Sequence, residues 1–237
     1  METQVEITHQ GIDSAKPEIE FRVLKPEELD DALKFAAKIF SESEPLTHST
    51  KATYEQMYEH LYKPFLHQFQ ELGDLQIGAF KDGKLVGASL NNDVYSTVPL
   101  SGTIIDILEP VLSCLDVVQH QLEHEGFLTK EPKKYFHVFF VATAPEMKGQ
   151  GIATKVLDMA QQLALEAGFK FSYIECTNPG MVRASQKSGF EILKTQSYKE
   201  FEYKGEHPFE NLPRDYGTEC CTILAQDLSK LRASKIQ

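Results

Sequence analysis

Two glycines, Gly149 and Gly151, separate an apolar run ending at Thr143 from an amphipathic run opening at Ile152, in the order Lys148-Gly149-Gln150-Gly151-Ile152-Ala153. Without side chains there, backbone N–H groups can approach an anion closely, and a following helix adds unsatisfied donors and a favourable dipole at its N-terminus. A pyrophosphate fits this description; so does a plain glycine-rich strand-to-helix connection. The turn has neither the glycine spacing of a dinucleotide fingerprint nor the Lys-Ser/Thr ending of a nucleotide P-loop. Further chemistry-bearing residues are Glu44 at the end of a helical run and His137 on the strand leading into the turn, where alternation sets it on one face with Phe139 and Val141. Each has a structural reading as well, as an acid ending a helix and as a satisfied core histidine. Cys114 and Cys176 sit in apolar runs without an evident base and read as buried structural thiols.

The elements that must position these groups follow from periodicity and punctuation. Ile19 to Leu24 reads as a strand, and Pro26-Glu27-Glu28 opens a helix that ends near Ser41 to Glu44, ahead of Pro45. Thr50 to Leu72 is helical, with Tyr54, Met57, Leu61, Phe65 and Phe69 on one face. Asp74 to Lys81 and Lys84 to Val94 form a hairpin across Asp82-Gly83. Ile104 to His124 is a helix whose Pro110 belongs in the first turn or makes a kink. Tyr135 to Thr143, Gly151 to Ala167 and Phe169 to Cys176 make a strand–helix–strand unit with Gly168 as C-cap, and a right-handed crossover makes its strands parallel. A short helix from Gly180 to Ser188 and strands from Phe190 to Tyr203 and Thr218 to Gln226 complete an α/β chain with a mixed sheet and helices on its faces.

Composition bounds the rest. The 237 residues suffice for one large domain, expected over residues 19–228, with a loosely docked lead over 1–18 and a tail over 229–237. The net charge of -11 argues against a partner such as nucleic acid and mildly favours cationic small molecules. No apolar run is long enough for a membrane helix, and the polar start lacks the features of a secretion signal, so a cytoplasmic location is expected. The four cysteines lack paired metal-ligand spacing, so reduced thiols and no metal are expected.

The segment Thr143 to Ala153 resembles motif A of the GNAT superfamily of N-acetyltransferases, with Lys148 where Arg or Gln is usual; Asn178 and the pair Gly189-Phe190 match later landmarks. The resemblance implies a single GNAT-like domain, splayed parallel strands at the cofactor site, and acetyl-CoA as co-substrate. Backbone groups of Phe140, Val141, Ala142 and Thr143 would then meet pantetheine, and Lys148, Gly149, Gln150, Gly151, Ile152 and Ala153 the phosphates, with Asn178 and Arg183 nearby. Phe40-Ser41-Glu42-Ser43-Glu44-Pro45-Leu46-Thr47 is similar to an element of insect arylalkylamine N-acetyltransferases whose Glu is the general base, which points to Glu44. A histidine at the matching strand position of a vertebrate relative implies a proton relay at His137, with a satisfied core histidine as the equal alternative. Many relatives carry an acidic-proton Tyr where this chain has Ser185; Thr177, Ser185, Tyr198 or water stand as alternatives for that role. The acceptor implied is a small arylalkylamine, the alternatives being polyamines, protein amino groups, or a non-catalytic acyl-CoA-binding role.

Overall fold

The computed structural model describes residues 18–94 and 103–231. Chain order begins with β1 (Glu20–Val23) and, after a 3₁₀ turn at Pro26–Glu28, α1 (Leu29–Ser43). Leu29, Ala32, Leu33, Ala36 and Ala37 give α1 one buried face, while Asp30 and Asp31 favour its N-terminus electrostatically. Pro45 ends α1 and opens α2 (Pro45–Ser49) immediately, leaving Glu44 extended between them at φ -80°, ψ 122°.

The expected helix from Thr50 instead starts at α3 (Tyr54–Gln56), where Thr53 forms a capping box with Gln56. It then widens into a π-helical stretch, Met57–Tyr62, and returns to α geometry only at α4 (Leu66–Leu72). Pro64 lies at the repair point. The wide turn buries Met57, Tyr58, Leu61 and Tyr62 together, two more than the expected stripe supplied.

β2 (Ile77–Lys81) and β3 (Lys84–Asp93) form the expected hairpin, with Asp82 and Gly83 at φ 51° and 74°. These left-handed values are those of the turn type that matches strand twist. In α5 (Thr103–His124) Pro110 lies inside the helix beyond its first turn, so the Asp106 carbonyl has no N–H four residues on.

β4 (Tyr135–Thr143), α6 (Ile152–Glu166) and β5 (Phe171–Cys176) form the strand–helix–strand unit, followed by α7 (Pro179–Lys187), β6 (Glu191–Ser197), α8 (Leu212–Tyr216) and β7 (Cys220–Asp227). β6 is shorter than the run to Tyr203 suggested. The sheet is a single mixed one in the order β1-β2-β3-β4-β5-β7-β6, with β4 and β5 its parallel pair. α6 packs on one face against Phe136, Val138, Ile174 and Leu224. The other face carries α1, the π-helical stretch and α5. Packing continues past residue 228, since Leu228 is fully buried and Leu231 rests on the α6 cluster. Of the expected lead, residues 1–17 lie outside the described residues, as do residues 232–237 of the tail.

Two irregularities shape the sheet's centre. β4 and β5 pair only from Tyr135↔Phe171 to His137↔Tyr173 and then part, so the β5-side edge of β4 beyond His137 has no strand partner among the described residues. In addition, Leu90 pairs with Phe140 but Asn91 with Val138, which leaves Phe139 as a bulge. The extra residue reverses the alternation. Phe139, Phe140 and Ala142 all pack with the α1 cluster, while Val141 joins the α6 cluster. The expectation that His137, Phe139 and Val141 share a face is therefore corrected at Val141.

Candidate active site

A cavity of about 1230 Å³ opens where β4 and β5 diverge. It runs from the glycine turn, past the junction of α1 and α2, to the underside of α5.

At one end stands the turn. Gly149 and Gly151 adopt φ 81° and 78°, conformations that L side chains rarely take, and a Cβ on either would meet nothing within 4 Å. The first main-chain bond closing α6 runs from Lys155 N to Gly151 O, so the N–H groups before it have no helical partner and point out of the helix start. Lys148, Arg183 and Lys187 line this end. Open donors, bare glycines and three cations suit an anionic pyrophosphate and its neighbouring phosphates. Asn178 also lines it, but its side chain is committed: Oδ1 caps α7 by accepting from Met181 N at 2.9 Å.

Midway lies Glu44, 8% exposed. As cap of α2 it accepts from Leu46 N (3.1 Å, Oε1) and Thr47 N (2.7 Å, Oε2). Oε1 also accepts from Thr177 Oγ1 at 2.6 Å. Thr177 directly follows β5, and its carbonyl is pinned by Tyr198 Oη at 3.0 Å and Thr218 Oγ1 at 2.9 Å. Thus Oε1 takes two donors and Oε2 one, which leaves Oε2 with the freer lone pair. The helix-end role and the site role of Glu44 coincide: capping is what holds the carboxylate in the cavity.

His137 is 8% exposed, and its Nε2 meets Glu175 Oε2 at 2.6 Å across the point where the strands divide. Ser185 is brought elsewhere. Fully buried on the inner side of α7, its hydroxyl lies 3.4 Å from Cys176 Sγ and does not line the cavity. Tyr198 is likewise sealed in the core, and burial pushes its phenol far above the usual range. Of the three hydroxyl candidates for a proton donor, Thr177 alone lines the cavity and touches Glu44. Cys114 and Cys176 are buried, and desolvation pushes each thiol up to about 12, which suits structural thiols.

The far end has aromatic and aliphatic walls: Phe40, Met57, Leu61, Tyr62, Phe65 and Phe140, with Leu108, Val111, Leu112 and Leu115 of α5 opposite. Tyr62 stacks on Phe140 with centroids 4.2 Å apart. Four polar groups there escaped sequence reasoning: Glu175, Asp116, Gln119 and Asn92. Nothing in their local spacing marks them; only the strand register sets Asn92 beside His137 and the pair His137–Glu175 beside it.

The acetyltransferase (GNAT) family model matches residues 35–190, and the chain belongs to this family. An acetyltransferase of Agrobacterium fabrum is 41% identical over 56 residues, a stretch that covers 24% of this chain and 39% of that relative's length. Among solved structures, the C-terminal condensation domain of Ebony, in complex with beta-alanyl-dopamine, is similar with a TM-score of 0.75 and 16% identity, covering 90% of this chain and 100% of that one. A putative arylalkylamine N-acetyltransferase of the yellow fever mosquito Aedes aegypti gives a TM-score of 0.66 at 17% identity, covering 89% and 87%. At these identities the structures establish a shared fold. No helix among the described residues is long and apolar enough to cross a membrane.

Proposed function

We propose that the protein transfers the acetyl group of acetyl-CoA to a primary amine by direct attack, with Glu44 as general base and Thr177 as the hydroxyl that returns a proton. The observation that carries this is the Glu44–Thr177 hydrogen bond, set between an anion-binding turn and an apolar chamber. A protein that merely bound acyl-CoA would use Glu44 only as the cap of α2.

The bound thioester supplies an activated acyl carbon, and the turn from Lys148 to Ala153 with Arg183 holds its phosphates. The unpaired edge of β4 beyond His137, including Phe140 to Thr143, offers main-chain donors and acceptors that require partners, and an extended amide chain provides them. A primary amine is mostly ammonium at neutral pH, since its pKa is about 10. The ammonium first gives one proton up to solvent, which frees the nitrogen lone pair, and Glu44 Oε2 takes the second as that nitrogen attacks. The C–N bond forms, the C–S bond breaks, and the sulfur leaves with a proton from Thr177 Oγ1, a loss that the proton held on Glu44 Oε2 makes good by way of solvent. His137 and Glu175 lie beyond this pair as a route for protons toward the cavity mouth.

The apolar walls favour an amine with a hydrophobic body. The Phe40-to-Thr47 segment, together with the likeness to a putative arylalkylamine N-acetyltransferase, supports an arylalkylamine as the first class to try. The reading of the reaction is tested by assaying thiol release from acetyl-CoA with a panel of aryl, aliphatic and diamine acceptors. Release above the hydrolytic background with a primary amine is expected; none with any of them overturns the proposal.

A further inference from the structure

Gly87 lies inside β3 and outside the left-handed region of backbone space, so no turn or unusual conformation asks for a glycine there. In a strand interior glycine gives up backbone entropy and packs nothing, and it often marks a place where something approaches the backbone closely. Here that neighbour is Ile152, the first residue of α6. A Cβ on Gly87 would lie 2.4 Å from Ile152 Cγ2, with Ala79 Cβ at 3.3 Å and Ala142 O at 3.5 Å. The side chain of Ile152, 1% exposed, is seated in the hollow over the bare strand.

This contact joins two stretches at the anion-binding end of the cavity. Gly87 pairs with Thr143 at the end of β4, and Ala144 N donates to Val86 O at 2.9 Å, so β3 fixes where the β4 edge stands. Ile152 in turn follows Gly151 directly, and the bond from Lys155 N to Gly151 O starts α6 from there. The distance from the β4 edge to the N–H groups of the turn is thus set by how deeply Ile152 sits on Gly87. Carbon atoms in contact keep about 3.5–4.0 Å apart, so a methyl at Gly87 would push Ile152 away by about 1 Å. Cγ2 is bonded to Cβ itself, and χ1 of a helical isoleucine strongly prefers one rotamer, so the displacement passes to the backbone of the turn.

We propose that Gly87 is a positioning residue for the co-substrate: its missing side chain sets the spacing between the turn that holds the pyrophosphate and the β4 edge that meets the pantetheine arm. This rests on the reading that acetyl-CoA lies along both. The covalent path from the ligand's pyrophosphate to its first amide has a limited reach. An error of about 1 Å between the two stretches therefore weakens the hold on the whole ligand while the β4 edge still binds its own part.

Titrations of the folded protein with coenzyme A and with pantetheine, which lacks the pyrophosphate, test it by NMR. In Gly87→Ala the Kd for coenzyme A is expected to rise about tenfold or more, the scale of lost charge-assisted hydrogen bonds, while that for pantetheine changes less than about twofold. Ile152→Ala removes the methyl that the new Cβ would meet, so the double variant should recover most of the affinity for coenzyme A. An unchanged Kd for coenzyme A in Gly87→Ala, an equal loss for both ligands, or a double variant no better than Gly87→Ala overturns the proposal. If Gly87→Ala does not fold, Ile152→Ala alone leaves the hollow empty and should weaken coenzyme A severalfold while sparing pantetheine; wild-type affinity for both overturns it. If the wild-type protein binds no coenzyme A, the co-substrate reading falls, and hydrogen exchange of the Lys155 amide, which closes the first turn of α6, reads the spacing by itself. Exchange that is faster in Gly87→Ala and restored in the double variant upholds the control of Gly87 over the turn; unchanged exchange overturns it.

Discussion

Thr177 Oγ1 donates a 2.6 Å hydrogen bond to Glu44 Oε1 across 133 residues of chain, joining the end of β5 to the cap of α2. The bond sets a carboxylate and a hydroxyl side by side in the cavity's middle, the two groups to which the proposed reaction gives its proton transfers. It also fixes which carboxylate oxygen is left for work.

Removing the charge of Glu44 should show this directly. Glu44→Gln is expected to retain acetyl-CoA binding and to lower turnover on the order of 100-fold near neutral pH, with partial recovery as rising pH supplies free amine. The measurement is kcat against pH from about 6 to 9. Equal turnover in both proteins across that span would remove Glu44 from the reaction.

Thr177→Val removes the hydroxyl and keeps the volume and the branched β-carbon. Turnover should fall about 10- to 100-fold, KM for acetyl-CoA should change little, and Thr177→Ser should restore most of the rate. A Ser variant as slow as the Val variant would assign the residue a packing role instead.

Acetyl-CoA at about a hundredfold excess over its Kd should stabilise the wild-type protein by about 2.7 kcal/mol, read as a rise in Tm. In Gly151→Val the rise should vanish while cooperative melting persists, because the side chain occupies the approach to the N–H groups and resists φ 78°. An undiminished rise would put the phosphates away from this turn.

Acid stability should carry the mark of Glu28. Arg22 clasps its carboxylate with two 2.7 Å hydrogen bonds and Lys25 N adds a third at 2.8 Å. Arg22 chiefly, with the backbone contact helping against desolvation, holds the carboxyl down at about 2. A depressed folded-state pKa gives stability that is complete above the ordinary value of 4.5 and is lost as pH falls toward 2. Glu28→Gln should therefore cost on the order of 1 kcal/mol near neutrality, where the pair is partly exposed, and the gap to wild type should narrow on acidification. Urea melts at several pH values check it; a gap that widens toward acid would contradict the sign.

Much of the architecture was legible because local chemistry enforced it. Asp82-Gly83 had to turn, Pro45 had to end α1, and Gly149 and Gly151 had to sit where a strand hands over to a helix. Glu44 stood out through the resemblance of the Phe40-to-Thr47 segment, and the structure shows it capping α2 just ahead of Pro45 and Leu46. What escaped were features made by tertiary pairing. The bulge at Phe139 depends on β3 and overrides alternation at Val141; the π-helical stretch depends on packing Leu61 and Tyr62 at once. Glu175 and Asn92 become neighbours of His137 only through strand register. Ser185, placed by counting back from Gly189-Phe190, faces inward against Cys176, and the hydroxyl at Glu44 comes from Thr177 at the strand end.

The two donors on the Thr177 carbonyl, Tyr198 and Thr218, both lie beyond residue 190, where the family match stops. A fragment excised at the limits of that match would keep the glycine turn, Glu44, His137 and Thr177, yet it would strip β7 from the flank of β5 and release the carbonyl that orients the threonine. Recognition by homology and autonomy as a working unit thus have different borders in this chain: the portion that identifies it is smaller than the portion that must be kept for Glu44 and Thr177 to hold their geometry.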